Sequence, residues 1–124
     1  MMNNEEKLIE RYVHLCKLMC REASDYTEER VKIHNRAMKE MQDLTETIRS
    51  DMSMANKVYA ALLEHGDSLV QQSAATECLS LKIHMKPALT VLKRISRKGN
   101  RMAAMAAKRT LLIWKGRLNP NDPY

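Results

Sequence analysis

Apolar residues recur at steps of three and four through almost the whole of this chain, and that spacing commits it to amphipathic helices. The first run is Leu8, Tyr12, Leu15 and Met19, with Ile9, Val13, Cys16 and Cys20 beside it. Little in the sequence competes with this signal. Its 124 residues include only three Gly, three Pro and no Phe, against ten Met. Sandwiches and barrels need frequent turn residues and strands rich in β-branched or aromatic side chains, so an all-β fold is all but excluded. Collagen-like and low-complexity chains are excluded on the same composition.

Capping residues divide the periodic stretch. Asn3 followed by Glu6 suits the start of a first helix, which fades at Ser24 and Asp25. Asp25 with Glu28 can open a second, with Val31, Met38, Met41, Leu44 and Ile48 on its apolar side and His34 between the first two. It ends near Arg49 to Asp51. A third carries Met54, Val58, Ala61 and Leu62, and Gly66 suits a left-handed cap after it. Asp67 or Ser68 can cap a fourth, patterned on Val70, Ala74, Cys78 and Leu81 with Ala75 and Leu79 alongside. Pro87 fits the first turn of a fifth, which holds Val91, Leu92 and Ile95 and stops at Gly99. Asn100 can cap a sixth, with Met102, Ala106, Ala107, Leu111 and Trp114, closed by Gly116. The expected organisation is one all-α domain over residues 1–118 with a loose tail over 119–124.

Six helices with short links suit either a closed bundle or a short solenoid of antiparallel pairs. An internal repeat favours the solenoid. A shift of 32 places Ala74 on Ala106, Ala75 on Ala107 and Leu79 on Leu111. Small residues at paired positions let helices approach closely, and the leucines fill the seam.

Leu62-Leu63-Glu64-His65, then Val70, Ala74-Ala75 and Leu79, resembles a HEAT-repeat pattern. With Ala88 to Leu92, Ile95, Thr110 to Trp114 and Asn35-Arg36, the chain from about Leu8 to Trp114 resembles a family of small bacterial HEAT-like proteins of unknown function. The resemblance implies about six helices stacked as antiparallel pairs in a short HEAT-like superhelix. It implies no catalytic residue, and some members are suspected immunity proteins of toxin systems. Gln71 departs from the pattern, because the position after Val70 is often basic in HEAT helices; no ion pair between repeats is assumed there. The basic charge of the chain suits an acidic toxin better than the cationic nucleases that acidic inhibitors meet.

No run approaches the ~18 consecutive apolar residues of a membrane span. Residues Met1 to Glu10 carry Glu5, Glu6 and Glu10 where a signal peptide would be basic and then apolar. Three cysteines, an odd number, then suit a reducing cytoplasm. The net charge of +6 is unevenly spread. Residues 1–65 carry 10 Lys and Arg against 12 Asp and Glu, a balance of −2; residues 66–124 carry 11 against 3, a balance of +8. Such asymmetry points to an anionic partner at the C-terminal half, against the blander alternative of a solvated basic face.

The residues that could carry chemistry do not assemble into a motif. Cys16 and Cys20 share a helix face near His14, but a structural zinc site needs a second ligand pair, and Cys78 stands alone. On an apolar stripe, such cysteines act as small hydrophobes. His14, His34, His65 and His84 form no pair four apart. His65 suits a helix C-terminus, and His34 suits a hydrogen-bonded interior position. No glycine-rich phosphate loop exists, and Glu5-Glu6 and Glu28-Glu29 fall in first turns, where negative charge complements the helix. Met38, Met41, Met102 and Met105 suit core filling in a chain without Phe, and Trp114 suits a plug at the end of the last helix pair. No catalytic residue, metal or cofactor is expected.

The remaining signal is basic: Lys82, Lys86, Lys93, Arg94, Arg97, Lys98, Arg101, Lys108, Arg109, Lys115 and Arg117. Lys86, Lys93 and Arg97 share a face of the fifth helix. The expected partner-binding residues are Lys86, Lys93, Arg94, Arg97, Arg101 and Lys108. The chain is thus expected to be a non-enzymatic protein-binding module, with toxin neutralisation its most concrete form. The alternative is sequence-nonspecific binding of nucleic acid by the same patch. Base stacking on single strands is disfavoured, because only Trp114 among the aromatics lies in the basic stretch before the tail.

Overall fold

The computed structural model describes residues 3–19, 27–98 and 101–116, which are all-helical, with no strand among them. The six helices are α1 (Asn4–Met19), α2 (Glu28–Arg49), α3 (Met52–Leu63), α4 (Ser68–Leu81), α5 (Met85–Lys98) and α6 (Arg101–Trp114). Cys20, Ser24, Asp25, Gly99, Asn100, Arg117 and the tail lie outside the described residues. The chain divides into two compact units, Met1–Val58 and Tyr59–Tyr124, with the boundary inside α3.

In the first unit, α1 packs on α2. Asn3 caps α1 as its spacing suggests, its side-chain oxygen accepting from the backbone N–H of Glu6 at 2.8 Å. Tyr12, Leu15 and Cys16 are buried. Across the pair, the Arg11 guanidinium meets the Glu40 carboxylate at 2.8 Å; both side chains are exposed, so this ion pair contributes little stability. The second helix starts later than the Asp25–Glu28 spacing suggests. Thr27 is its N-cap, and the Thr27 hydroxyl accepts from the N–H of Arg30. The buried positions of α2 are Ala37, Met41 and Ile48, whereas Met38 is exposed. A small Ala thus takes the inward place and the longer Met points to solvent.

α3 is capped by Asp51, which accepts from the N–H of Met54. Its buried side is Ala55, Val58, Tyr59, Leu62 and Leu63, and Ala61 is exposed. Gly66 does not supply the left-handed residue after this helix. The turn closes through Glu64 and His65 N–H groups bonding to the carbonyls of Ala61 and Leu62. His65 Nδ1 then accepts from the N–H of Asp67 at 3.0 Å, and the Asp67 carboxylate caps α4 through Leu69 and Val70.

In the second unit, α4, α5 and α6 all pack on one another. The core between them comes from Val70, Ala74, Ala75, Cys78 and Leu79 of α4, Ala88, Leu92 and Ile95 of α5, and Ala103, Ala107 and Leu111 of α6. The left-handed residue after α4 is Lys82, at φ 59°, and Ile83 N–H reaches back to the Cys78 carbonyl at 2.9 Å. His84, also left-handed at φ 46°, leads into α5, its carbonyl accepting from Ala88 N–H. Pro87 sits in the first turn of α5, where its missing N–H is not needed. Gly116, at φ 72°, follows α6.

Candidate functional site

Helices α5 and α6 carry most of the exposed cations among the described residues of the second unit. With Ala88, Leu92 and Ile95 turned inward, the opposite side of α5 presents Lys86, Lys93 and Arg97 to solvent. On α6 the inward row is Ala103, Ala107 and Leu111; Arg101 and Lys108 lie seven apart on the exposed side, and Lys115, seven further on, is the exposed residue that follows the helix. Arg101 and Lys108 belong to the expected binding set, and Lys115 extends their row. None of Lys86, Lys93, Arg97, Arg101 and Lys108 makes an ion pair among the described residues.

Side-chain contacts fix which flank of each helix meets which neighbour. Arg94 hydrogen-bonds Gln71 on α4 at 2.8 Å, so that flank of α5 faces α4 and the other flank faces α6. Thr110 meets Thr76 of α4 at 3.0 Å between hydroxyls, so that flank of α6 faces α4 and the other faces α5. At about 100° per residue, Lys86, Lys93 and Arg97 lie on the side of α5 away from its buried row, with Lys93 the nearest of the three to the α6-facing flank. Arg101, Lys108 and Lys115 lie just outside the α5-facing flank of α6. The two rows therefore face the same side of the α5–α6 pair.

Arg94 is the member of the expected set that is held differently. Its guanidinium is engaged by Gln71 Oε1, while Gln71 Nε2 donates to the Leu63 carbonyl at 2.7 Å. Gln71 thus bridges α5 to the end of α3. Its neutral amide presents an acceptor to Arg94 and a donor to Leu63, which a Lys or Arg at this position could not do.

Between Cys78 and Asn121 the sequence contains no Asp or Glu. The surface therefore has no nearby carboxylate in sequence to neutralise it, and its potential extends outward until salt screens it, over about 8 Å at physiological ionic strength.

The other candidate groups do not converge. Cys16 is buried, and so is Cys78, whose thiol burial pushes up to about 12, with the charge of Glu77 adding to the effect. Such a thiol stays protonated and unreactive at neutral pH. No cluster of His, Cys, Asp or Glu among the described residues could hold a metal ion. His14 is exposed beside Lys7, Glu10 and Arg11. His34 is half-buried, but its Nδ1 has no hydrogen-bond partner among the described residues, against the expectation for an interior histidine.

Two of the grooves among the described residues have mixed polar and apolar linings. One, of about 560 Å³, is lined on α1 by Asn4, Lys7, Leu8 and Arg11 and on the far side by Leu44, Thr47, Asp51 and Met54. Its polar side chains are mostly spent locally: Arg11 on Glu40, Thr47 on the Asp43 carbonyl and Asp51 on Met54 N–H. The other, of about 280 Å³, runs along Thr76, Leu79 and Ser80 of α4 and Thr110, Ile113 and Trp114 of α6. Trp114 is 41% exposed at its rim, so it does not plug the helix pair.

Sequence periodicity does not reveal the exposed apolar row of α6. Met102, Met105 and Leu112 are 40%, 49% and 40% exposed, although Met102 and Met105 suit the core by their spacing. Paired alanines at 103–104 and 106–107 offer two inward faces one residue apart, and periodicity alone does not choose between them.

Comparison with family models, with curated proteins and with solved structures gives no match for this chain.

Proposed function

We propose that this chain is a non-enzymatic binding module that receives an acidic protein surface on the cationic side of α5 and α6. The observation that carries the reading is that Lys86, Lys93, Arg97, Arg101 and Lys108 are all exposed and without ion-pair partners among the described residues, on the side of α5 and α6 away from their buried rows. Like charges held on one side disfavour the free state, and opposite charge from a partner relieves that repulsion.

In this reading α4 to α6 are stacked in the HEAT manner, as antiparallel neighbours. Support comes from Thr76 and Thr110, which meet 34 residues apart, and from the groove that follows α4 and α6 in the same order. The most concrete partner is a toxin domain with an acidic face, neutralised in the cytoplasm. The support for that partner is the resemblance to the small HEAT-like family together with the exposed cations.

The test is capture from the native cell on the immobilised chain, beside the double charge reversal Lys93→Glu, Arg97→Glu. A protein retained by the wild type and lost by the variant supports the proposal. The same proteins held equally by both reject it. A second reading, binding of duplex nucleic acid, draws on the absence of acidic residues from Cys78 to Asn121, since phosphate contacts need only cations. Titration with duplex DNA at two salt concentrations separates the two readings. A steep loss of affinity with salt favours the second, and no binding at low salt eliminates it.

A further inference from the structure

We infer that the partner docks an acidic amphipathic helix along α6, its apolar side chains covering Met102, Met105 and Leu112 and its carboxylates meeting Arg101, Lys108 and Lys115. This rests on the protein-binding reading above and adds the shape and apolar content of what is bound.

Two rows run side by side on the exposed surface of α6 and of Lys115, the residue that follows it. Arg101, Lys108 and Lys115 are spaced by sevens, and so are Met105 and Leu112, with Met102 one turn before Met105. A row repeating every seven residues is followed best by another helix, whose own side chains recur at the same rise. Charge complementarity selects the chemistry of that helix. It carries Asp or Glu on the side facing the cations and aliphatic residues on the side facing the methionines.

The methionines suit this use, because their unbranched, polarisable side chains adapt to a partner's shape. Isolated exposed apolar residues are ordinary, but three of them in line beside three cations without ion-pair partners among the described residues form a two-part surface. The same half of a second copy is a poor occupant. Its α6 would bring the same cations against these, with no acidic residue between Cys78 and Asn121 to offset them. An anionic bilayer satisfies the cations but has no reason to follow a single helix face.

The experiment uses the full chain and a synthetic helical peptide of about 21 residues, three heptads, with Leu at i, i+3, i+7 and i+10 flanked on one side by Glu. Controls are the scrambled peptide of equal composition, vesicles containing phosphatidylserine, and the chain alone in a sizing column with light scattering. The intact peptide is expected to bind, and the scrambled one to bind about tenfold more weakly or worse. Met105→Ser and Leu112→Ser are each expected to weaken binding about fivefold. Lys108→Glu is expected to weaken it by a similar factor and to reduce its salt dependence. Circular dichroism of each variant checks that the helices persist, and Leu112→Lys provides a second apolar-row variant.

Equal binding of the scrambled peptide overturns the inference, as does tighter binding to vesicles than to peptide, or self-association that Met105→Ser abolishes. If Lys108→Glu abolishes binding and the serine variants leave it unchanged, the apolar row is not used. The inference then falls while the electrostatic reading of α5 and α6 stands.

Discussion

Cys78 sits fully buried among the α4, α5 and α6 side chains, and its environment dictates a measurable pH dependence. In the unfolded chain the thiol ionises near its ordinary value of 9.0, whereas in the folded chain burial, and secondarily the charge of Glu77, holds the proton until about 12. The folded state therefore binds the proton more tightly than the unfolded state. That contribution is fully present below pH 9 and is lost as pH rises from 9 to 12. Urea titrations between pH 8 and 11 should show stability falling more steeply for the wild type than for Cys78→Ala. Parallel slopes would show that the thiol does not couple to folding. Other single residues are legible in the sequence itself. Asn3 and Asp67 cap the helices their side chains suggest, because an oxygen placed before an apolar run has a free N–H waiting for it. Thr27 is not legible in the same way, because Asp25 with Glu28 offers an equally good capping pattern two residues earlier.

At the scale of the helix, the elements and their order follow from periodicity, but the inward face of an element does not always. On α4 the buried set is close to the pattern read from the sequence, since Val70, Ala74, Cys78 and their neighbours leave one apolar side. On α2 and α6 the row agrees in part: Met41, Ile48, Ala107 and Leu111 are buried as their spacing suggests, but Ala37 and Ala103 take the inward places beside Met38 and Met102, and Met38, Met102 and Met105 stay outside. Alanine permits close helix approach, and a neighbouring methionine tolerates either environment, so packing decides what the one-dimensional pattern leaves open. The turns between helices depart from the sequence pattern for a similar reason. Glycine is the ordinary left-handed residue, yet the turn after α4 places Lys82 at φ 59°. A lysine there carries a steric cost that glycine does not, so Lys82→Gly is expected to raise stability by about 0.5–1 kcal/mol. A midpoint in chemical denaturation that stays level or falls would show that the Lys82 side chain offsets the strain of its backbone.

At the scale of the molecule, charge is legible in the sequence and its placement is not. The sequence separates a −2 half from a +8 half, but it does not reveal which side of α5 and of α6 the cations occupy. That arrangement depends on which flank of each helix meets α4, and it is read from the Arg94–Gln71 and Thr76–Thr110 contacts. It also withdraws Arg94 from the set that the sequence placed together. The proposed recognition is then directional: an acidic partner would be steered to one surface of the second unit, with an association rate that falls as salt rises. Carbodiimide joins a lysine amine to a carboxylate only where the two already touch, so it reads that surface directly in the complex captured from the native cell. Crosslinks are expected from the partner's Asp and Glu to Lys86, Lys93 and Lys108. Crosslinks confined to Lys7, Lys32, Lys39 and Lys57, in the first unit, would contradict the proposal.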